Sequence, residues 1–215
     1  MDVLTVKRSG WLAPAGLAFV AGFADAASFV GADGIFCAHV TGNFVVLAAD
    51  LARHARADEW LKLATFPIFV LAVVATTSWA KRKAGSARSC MLTTATLLAA
   101  AAVTGSIVPV VHHTSGIGKS LVVGLLVLAM GVQNAMHRLH PKLGPMTTVM
   151  TGNVTGFLVD TVRAGSDPEK QRSGALVIAA FTLGCASGAF GVAGAGLASL
   201  VVPALVMWLV SRSQA

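Results

Sequence analysis

Charged residues are scarce in this chain of 215 residues, where Asp, Glu, Lys and Arg together make up 12%. Soluble domains carry about 25% charged residues, so the composition excludes an ordinary soluble domain. Cysteine is scarce too, because Cys37, Cys90 and Cys185 lie apart in apolar sequence without paired spacing. That pattern argues against a disulfide framework and a zinc site, and favours small buried hydrophobic side chains instead.

Sequence signatures of catalysis are also missing. The chain contains no HExxH, no glycine-rich phosphate loop and no nucleophile elbow. His137 and His140 are spaced to share a metal, but both flank basic residues, and an interfacial location is the better interpretation for them and for His112 and His113. We therefore expect neither enzyme activity nor a cofactor or resident metal.

Long uncharged stretches dominate the chain instead. They cover residues 9–24, 34–49, 63–80, 89–118, 120–137, 143–159 and 173–211. Several approach or exceed the ~20 residues that a helix needs to cross a bilayer. The last stretch is too long for one span, and Gly191, Gly194 and Gly196 are expected to divide it. The sequence therefore predicts an all-α polytopic membrane protein whose first partner is the lipid bilayer.

An internal repeat organises the chain around one tripeptide, which occurs as Thr41-Gly42-Asn43 and again as Thr151-Gly152-Asn153. Further polar matches share the same offset of 110, pairing Asp50, Arg53, Glu59 and Lys62 with Asp160, Arg163, Glu169 and Arg172. With one residue of slippage, the stretch around Asp25 matches the stretch around Asn134. Two units are therefore predicted, about 11–111 and about 119–211, with a polar site at their interface.

The tripeptide segments, 35–53 and 145–162, allow two topologies. If both cross fully, the chain has eight spans and its 16 Lys and Arg divide 10 to 6 between the two sides. If both are re-entrant, six spans remain and the division becomes 12 to 4, with both termini cytoplasmic. The positive-inside rule favours six spans plus two re-entrant segments, and eight full spans are the alternative. Six spans also invert one unit relative to the other, as in many transporters.

The net charge of +7 comes from basic residues in the short loops between these apolar runs. Membrane orientation and anionic lipid headgroups account for that placement, so we expect no nucleic-acid partner.

Each tripeptide is expected to form a helix start at membrane depth. Thr41 and Asn43 could cap a helix that begins near Phe44, and Gly42 allows a turn or a close approach. The unpaired N–H groups of such a helix start suit an anion or a carboxylate. Asp50 lies two turns further along, where Arg53 could pair with it. Helix packing is the alternative role for the polar set, which recurs in the second unit as Thr151, Gly152, Asn153, Asp160 and Arg163.

Asp25 is the sharpest single candidate. It lies inside the first predicted span, with no basic residue nearer in sequence than Arg8. Ionisable groups within spans usually face a cavity or a partner, and this one would suit a proton-coupled step. Its counterpart in the second unit is the neutral Asn134 beside Gln133, and a simple hydrogen bond to a neighbouring helix is the alternative.

The paired stretches that carry these residues, from Gly22 to Asn43 and from Met130 to Asn153, resemble the YoaK family of bacterial membrane proteins. That family is a family of unknown function. The resemblance implies a multi-pass protein of the bacterial plasma (inner) membrane, and it brings neither a substrate nor assigned binding residues.

The leading functional hypothesis is a transporter or channel for a small polar solute or ion, with proton coupling as an option. The candidate substrate-binding residues are Asp25, His39, Thr41, Gly42, Asn43, Asp50, Gln133, Asn134, Thr151, Gly152, Asn153 and Asp160. The alternative is a non-transporting membrane protein that acts through a partner or as a homo-oligomer. Its packing face would be the small-residue run 184–196.

Overall fold

A computed structural model describes residues 3–53, 60–83, 86–107, 116–163 and 167–214, and within these ranges the chain is helical without a strand. The α-helices are α1 (Val3–Gly31), α2 (Gly42–Ala52), α3 (Trp60–Lys83), α4 (Ala87–Ile107), α5 (Ile117–Leu139), α6 (Met150–Val162), α7 (Pro168–Ala195) and α8 (Val201–Arg212). Short 3-10 turns occupy Pro141–Leu143 and Gly196–Leu200.

Five segments are long and apolar enough to cross a bilayer, and they indicate a multi-pass membrane protein. They are Ala13–Gly31, Trp60–Lys81, Ala87–Ile107, Ile117–Leu139 and Pro168–Arg212. The last contains α7 and α8, which are divided at Gly196, where φ is 60°. Glycine adopts this left-handed conformation without steric cost, so the division occurs there, while Gly191 and Gly194 remain inside α7.

The two tripeptide segments form two short helices, α2 and α6, both of which precede the division at Gly196. α2 has 11 residues and α6 has 13. At ~1.5 Å per residue they extend about 16 and 20 Å, which is short of a ~30 Å hydrocarbon core. Neither helix alone is long enough to cross. The predicted end of the first unit at residues 108–111 lies outside the described residues, as do Glu59, His112 and His113.

Helices α1 and α5 lie at the centre and run antiparallel. In the middle of α1, the Leu17 carbonyl accepts from Gln133 Nε2 at 2.9 Å, near the end of α5. Just after α1, Asp33 pairs with Lys119 at 2.5 Å, near the start of α5. The partners therefore run in opposite order along the two helices.

Helices α1 and α7 are parallel and packed unusually closely. Gly22 lies against the backbone of Phe181, and Gly184 and Gly188 lie against the backbone of α1 around Phe23. A Cβ at any of these glycines would overlap main-chain atoms, so glycine is required for this approach. Small residues four apart serve the same purpose in other membrane helices. Gly184 and Gly188, which belong to the small-residue run 184–196, therefore pack against another helix of the same chain.

Candidate functional site

The loop after α1, residues 32–41, folds back along that helix and is held there by Asp25. Oδ1 of Asp25 accepts a hydrogen bond from the Ala38 N–H at 2.7 Å, and Oδ2 lies 2.5 Å from His39 Nδ1. The carboxylate is buried, with 4% of the residue exposed. The sequence-based expectation of a buried partner is met by the chain's own loop, and the partner is a histidine.

The loop after α5 is held in the same way by a neutral side chain. Oδ1 of Asn134 accepts from the Thr148 hydroxyl at 2.6 Å, and Nδ2 donates to the Met130 carbonyl. Thr148 lies 110 residues after Ala38, which is the offset of the predicted repeat, although Ala38 donates through its backbone N–H and Thr148 through its hydroxyl. The first unit thus has an acid–imidazole pair where the second has an amide and a hydroxyl.

The two tripeptide asparagines also make one contact in common. Nδ2 of Asn43 donates to the Phe36 carbonyl, and Nδ2 of Asn153 donates to the Met146 carbonyl, both at 2.8 Å and seven residues earlier. Asn43 is fully buried and makes two further bonds, from the Phe36 N–H and to Thr65 Oγ1. This geometry gives Asn43 a structural role, because both protons of its amide are already used.

The predicted helix caps are wrong. α2 begins at Gly42 rather than near Phe44, and Thr41 makes no side-chain cap. The N–H groups of Gly42, Asn43 and Phe44 donate to the carbonyls three residues earlier, so the first turn has no amide left for a cap. α6 begins at Met150, and Thr151 and Asn153 lie inside it.

The two repeated aspartates form ion pairs with the following helix. Asp50 Oδ2 lies 2.9 Å from Lys62 Nζ, and Asp160 Oδ2 lies 2.7 Å from Lys170 Nζ. The expected partners, Arg53 and Arg163, do not take part in these pairs. In the first unit the reason is burial: Lys62 is only 4% exposed and needs a counter-charge, whereas Arg53 is exposed to solvent.

Residues from both tripeptide segments line one cavity of ≈270 Å³, here called the central cavity. Its polar wall consists of His39, Thr41, Asn134, Thr148 and Thr151, and α3 closes it with Phe66 and Phe69. Thr41 and Thr151 are both exposed. The ends at which α2 and α6 begin therefore meet at the same cavity, and each contributes an exposed threonine to its wall.

Other predicted site residues lie elsewhere. Gln133 is fully buried and donates to Leu17 and to the Thr147 hydroxyl, and Asp50 lies in its ion pair. A separate cleft of ≈310 Å³ between α6 and α7 is lined by Gly152, Asn153 and Asp160. The predicted set is therefore distributed over several places, and four of its members, His39, Thr41, Asn134 and Thr151, line the central cavity.

A profile of a protein family of unknown function, DUF1275, matches residues 14–212 of the chain. The chain belongs to the DUF1275 family. No curated protein and no solved structure matches it. The family match covers both units but assigns neither a substrate nor a role to any residue.

Sequence reasoning missed three threonines of this DUF1275 protein. Thr148 holds Asn134, Thr147 accepts from Gln133, and Thr65 accepts from Asn43. The repeat offset contained a signal for two of them, because Thr147 and Thr148 occupy the positions of Cys37 and Ala38. Among the described residues, no three His, Cys, Asp or Glu side chains gather where they could hold a metal ion.

Proposed function

We propose that this protein is a transporter of a small polar solute or ion in the bacterial plasma (inner) membrane, and that the central cavity is its binding site. One observation carries the proposal: corresponding segments of two sequence units meet at a single cavity of ≈270 Å³ and each contributes an exposed threonine to it. Binding sites between repeated units, next to interrupted helices, are typical of secondary transporters.

The arrangement of the helices supports an inverted repeat. The first helices of the two units, α1 and α5, are antiparallel. Each also packs through a glycine on the third helix of the other unit: Gly22 lies against Phe181 of α7, and Gly131 lies against Phe69 and Ala72 of α3. This exchange of partners is what two units related by a two-fold axis in the membrane plane would produce.

The proposed topology has six spans, with α2 and α6 as half-crossings that begin at the central cavity. The lengths of α2 and α6 support it, because neither reaches across a bilayer. The topology places both termini and 12 of the 16 Lys and Arg on one side. By the positive-inside rule that side is the cytoplasm.

The pair formed by Asp25 and His39 supports proton coupling. His39 lines the central cavity, and its Nδ1 contacts Asp25, which is not part of that wall. A solute in the cavity would therefore lie beside an imidazole, a group that can gain and lose a proton. The neutral pair at Asn134 and Thr148 gives the second unit no such group.

Cysteine labelling tests whether water reaches the central cavity. In a variant without its three native cysteines, Thr41→Cys and Thr151→Cys should each react with a membrane-impermeant maleimide in intact or everted vesicles. Arg163→Cys, at an exposed position, is the positive control. Restoring native Cys37 provides the negative control, because that thiol is fully buried and does not line the cavity. If both cavity cysteines stay inert in both preparations while residue 163 reacts, the proposal fails.

Flux provides the functional test. Purified protein in liposomes should transport one member of a panel of radiolabelled small carboxylates, amino acids and polyols, and Thr41→Val together with Thr151→Val should reduce that rate. A stable complex with a second protein, combined with no flux for any member, would favour the partner-binding alternative. The narrower resemblance to the YoaK family and the homo-oligomer stay predictions.

A further inference from the structure

A second cavity shares His39 with the central cavity and is lined by α1, the loop that follows it and α7. This lateral cavity has a volume of ≈630 Å³, and its wall includes Asp25, Phe29, Phe36, His39, Phe181 and Cys185. His39 thus belongs to the walls of both the central and the lateral cavity. The volume falls in the range of ~300–1,000 Å³ that is typical of sites for organic ligands.

Aromatic rings follow one another along this wall. The ring centroids of Phe29 and Phe36 are 4.6 Å apart, those of Phe36 and His39 are 6.2 Å apart, and those of His39 and Phe181 are 6.0 Å apart. Phenylalanine rings offer apolar contact area, and their faces attract positive charge. The wall is therefore suited to a ligand that is both hydrophobic and cationic.

The charge of the wall also favours a cationic ligand. Among the described residues, Asp25 is the acidic residue of the lateral cavity, and neither lysine nor arginine contributes to its lining. A buried carboxylate requires a positive partner, and His39 Nδ1 supplies one at 2.5 Å. A cationic ligand could supply the same charge from the cavity side, whereas a lipid acyl chain could not.

We propose that the lateral cavity binds an amphipathic organic cation whose apolar groups contact the phenylalanine rings and whose charge is balanced by Asp25. The inference rests on the proposed function only in placing this ligand beside the transport site, because binding itself does not require flux.

The proton on His39 and the organic cation are alternative counter-charges for one carboxylate. When the cation binds, the proton leaves His39 for water, so one positive charge enters as another leaves and the net charge of the site stays constant. The other ionisable groups near the pair are the thiols of Cys37 in the loop and Cys185 in α7, while α5 contributes the neutral Asn134. None of these competes as a cation, so affinity should increase as pH rises and the proton is lost.

Binding of tetraphenylphosphonium to the purified full-length protein, measured by equilibrium dialysis, tests the proposal. Tetraphenylborate has nearly the same shape with the opposite charge and is the matched ligand control. We expect the cation to bind more tightly than the anion, with proton release in weak buffer. Asp25→Asn should weaken binding of the cation about tenfold or more. The fold should accept this change, because Asn134 performs the corresponding contact in the second unit.

Variants of α7 test the location without altering the acid–imidazole pair. Ala189 lines the lateral cavity, so Ala189→Phe should fill it and weaken binding. Ala186 is exposed on the same helix and is not part of the wall, so Ala186→Phe should leave binding unchanged. His39→Gln should keep binding but remove its dependence on pH.

Equal binding of the two tetraphenyl ions would overturn the proposal, as would affinity for the cation that stays the same in Asp25→Asn and Ala189→Phe. The cavity would then be a groove for lipid acyl chains. Because this assay needs no gradient, loss of flux with intact cation binding would count only against the transport proposal.

Discussion

Asn43 of α2 donates a hydrogen bond to Thr65 of α3 at 2.9 Å, and the described part of the second unit has no equivalent bond. Thr65 lies three residues after Lys62, the partner of Asp50, just as Ser173 lies three residues after Lys170, the partner of Asp160. Yet Ser173 lines the cleft of ≈310 Å³ and makes no bond to Asn153 within the described residues. α2 is therefore joined to its neighbouring helix by a side-chain hydrogen bond from its asparagine, and Asn153 of α6 makes no such bond to a described residue of α7.

Replacing the two asparagines should have unequal costs. Asn43→Ala should lower the free energy of unfolding by about 2–4 kcal/mol, because the half-buried Phe36 backbone groups and the buried Thr65 hydroxyl lose their partner. Asn153→Ala should cost about 1 kcal/mol or less, because one backbone bond is lost at a half-buried position. Thermal unfolding of the detergent-solubilised protein measures both changes. Equal losses would contradict the difference between the units.

Hydrogen exchange should distinguish the two short helices. Backbone amides of α6 are expected to exchange faster than those of α2, because Met150 is its single buried residue while α2 buries Asn43 and Leu47. Gly156→Leu should slow the exchange of the α6 amides. Gly156 lines the cleft and a Cβ added there meets no atom within 4 Å, so there is room for the leucine to fill the cleft. Mass spectrometry of the exchanging protein reports both effects. Slower exchange in α6 than in α2 would refute this ranking.

Two cysteine substitutions should distinguish the topologies. With six spans and two half-crossings, Arg53→Cys and Arg163→Cys lie on opposite sides of the membrane. With eight full spans they lie on the same side. Both native arginines are exposed, so each cysteine should be accessible. Labelling of cysteine-free variants with an impermeant maleimide, in intact cells and in everted vesicles, should modify one residue in each preparation. Modification of both in one preparation would support eight spans.

Glycine substitutions should affect stability in opposite directions at packed and open positions. Gly184→Ala should destabilise the protein, because the new Cβ would lie against the main chain of α1 at Phe19 and Phe23. Gly124→Ala in α5 should be neutral or stabilise by up to about 1 kcal/mol, since no atom lies within 4 Å and alanine favours helix. Thermal unfolding compares the two. A stabilised Gly184→Ala protein would mean that α1 and α7 are less closely packed than the structure shows.

The membrane class of the protein, its uninterrupted apolar helices and a break near Gly196 could be predicted because each depends on local composition. The partner of Asp25 could not. A turn at Asp33 and Gly34, where φ is 55° and 75°, returns the chain towards α1 and brings His39 beside a residue 14 positions earlier. Such a reversal depends on tertiary packing of the loop, which residue periodicity does not contain.

The ion pairs illustrate the same limit. Arg53 was the expected partner of Asp50 because residues three apart are neighbours on a helix. Lys62 takes that place because α3 packs beside α2 and leaves the lysine buried. The repeat offset in the sequence identified both aspartates. The partner of Asp50 depends on the burial of Lys62, which lies on another helix.

The glycine contact between α1 and α7 also imposes an order on biosynthesis. α1 is translated before α7, but the backbone that Gly22 contacts belongs to Phe181 and Cys185 of α7. Until that part of α7 has been translated, the closely packed face of α1 lacks this partner and must remain against lipid or the insertion machinery. The close packing of α1 therefore cannot be completed until α7 has entered the membrane.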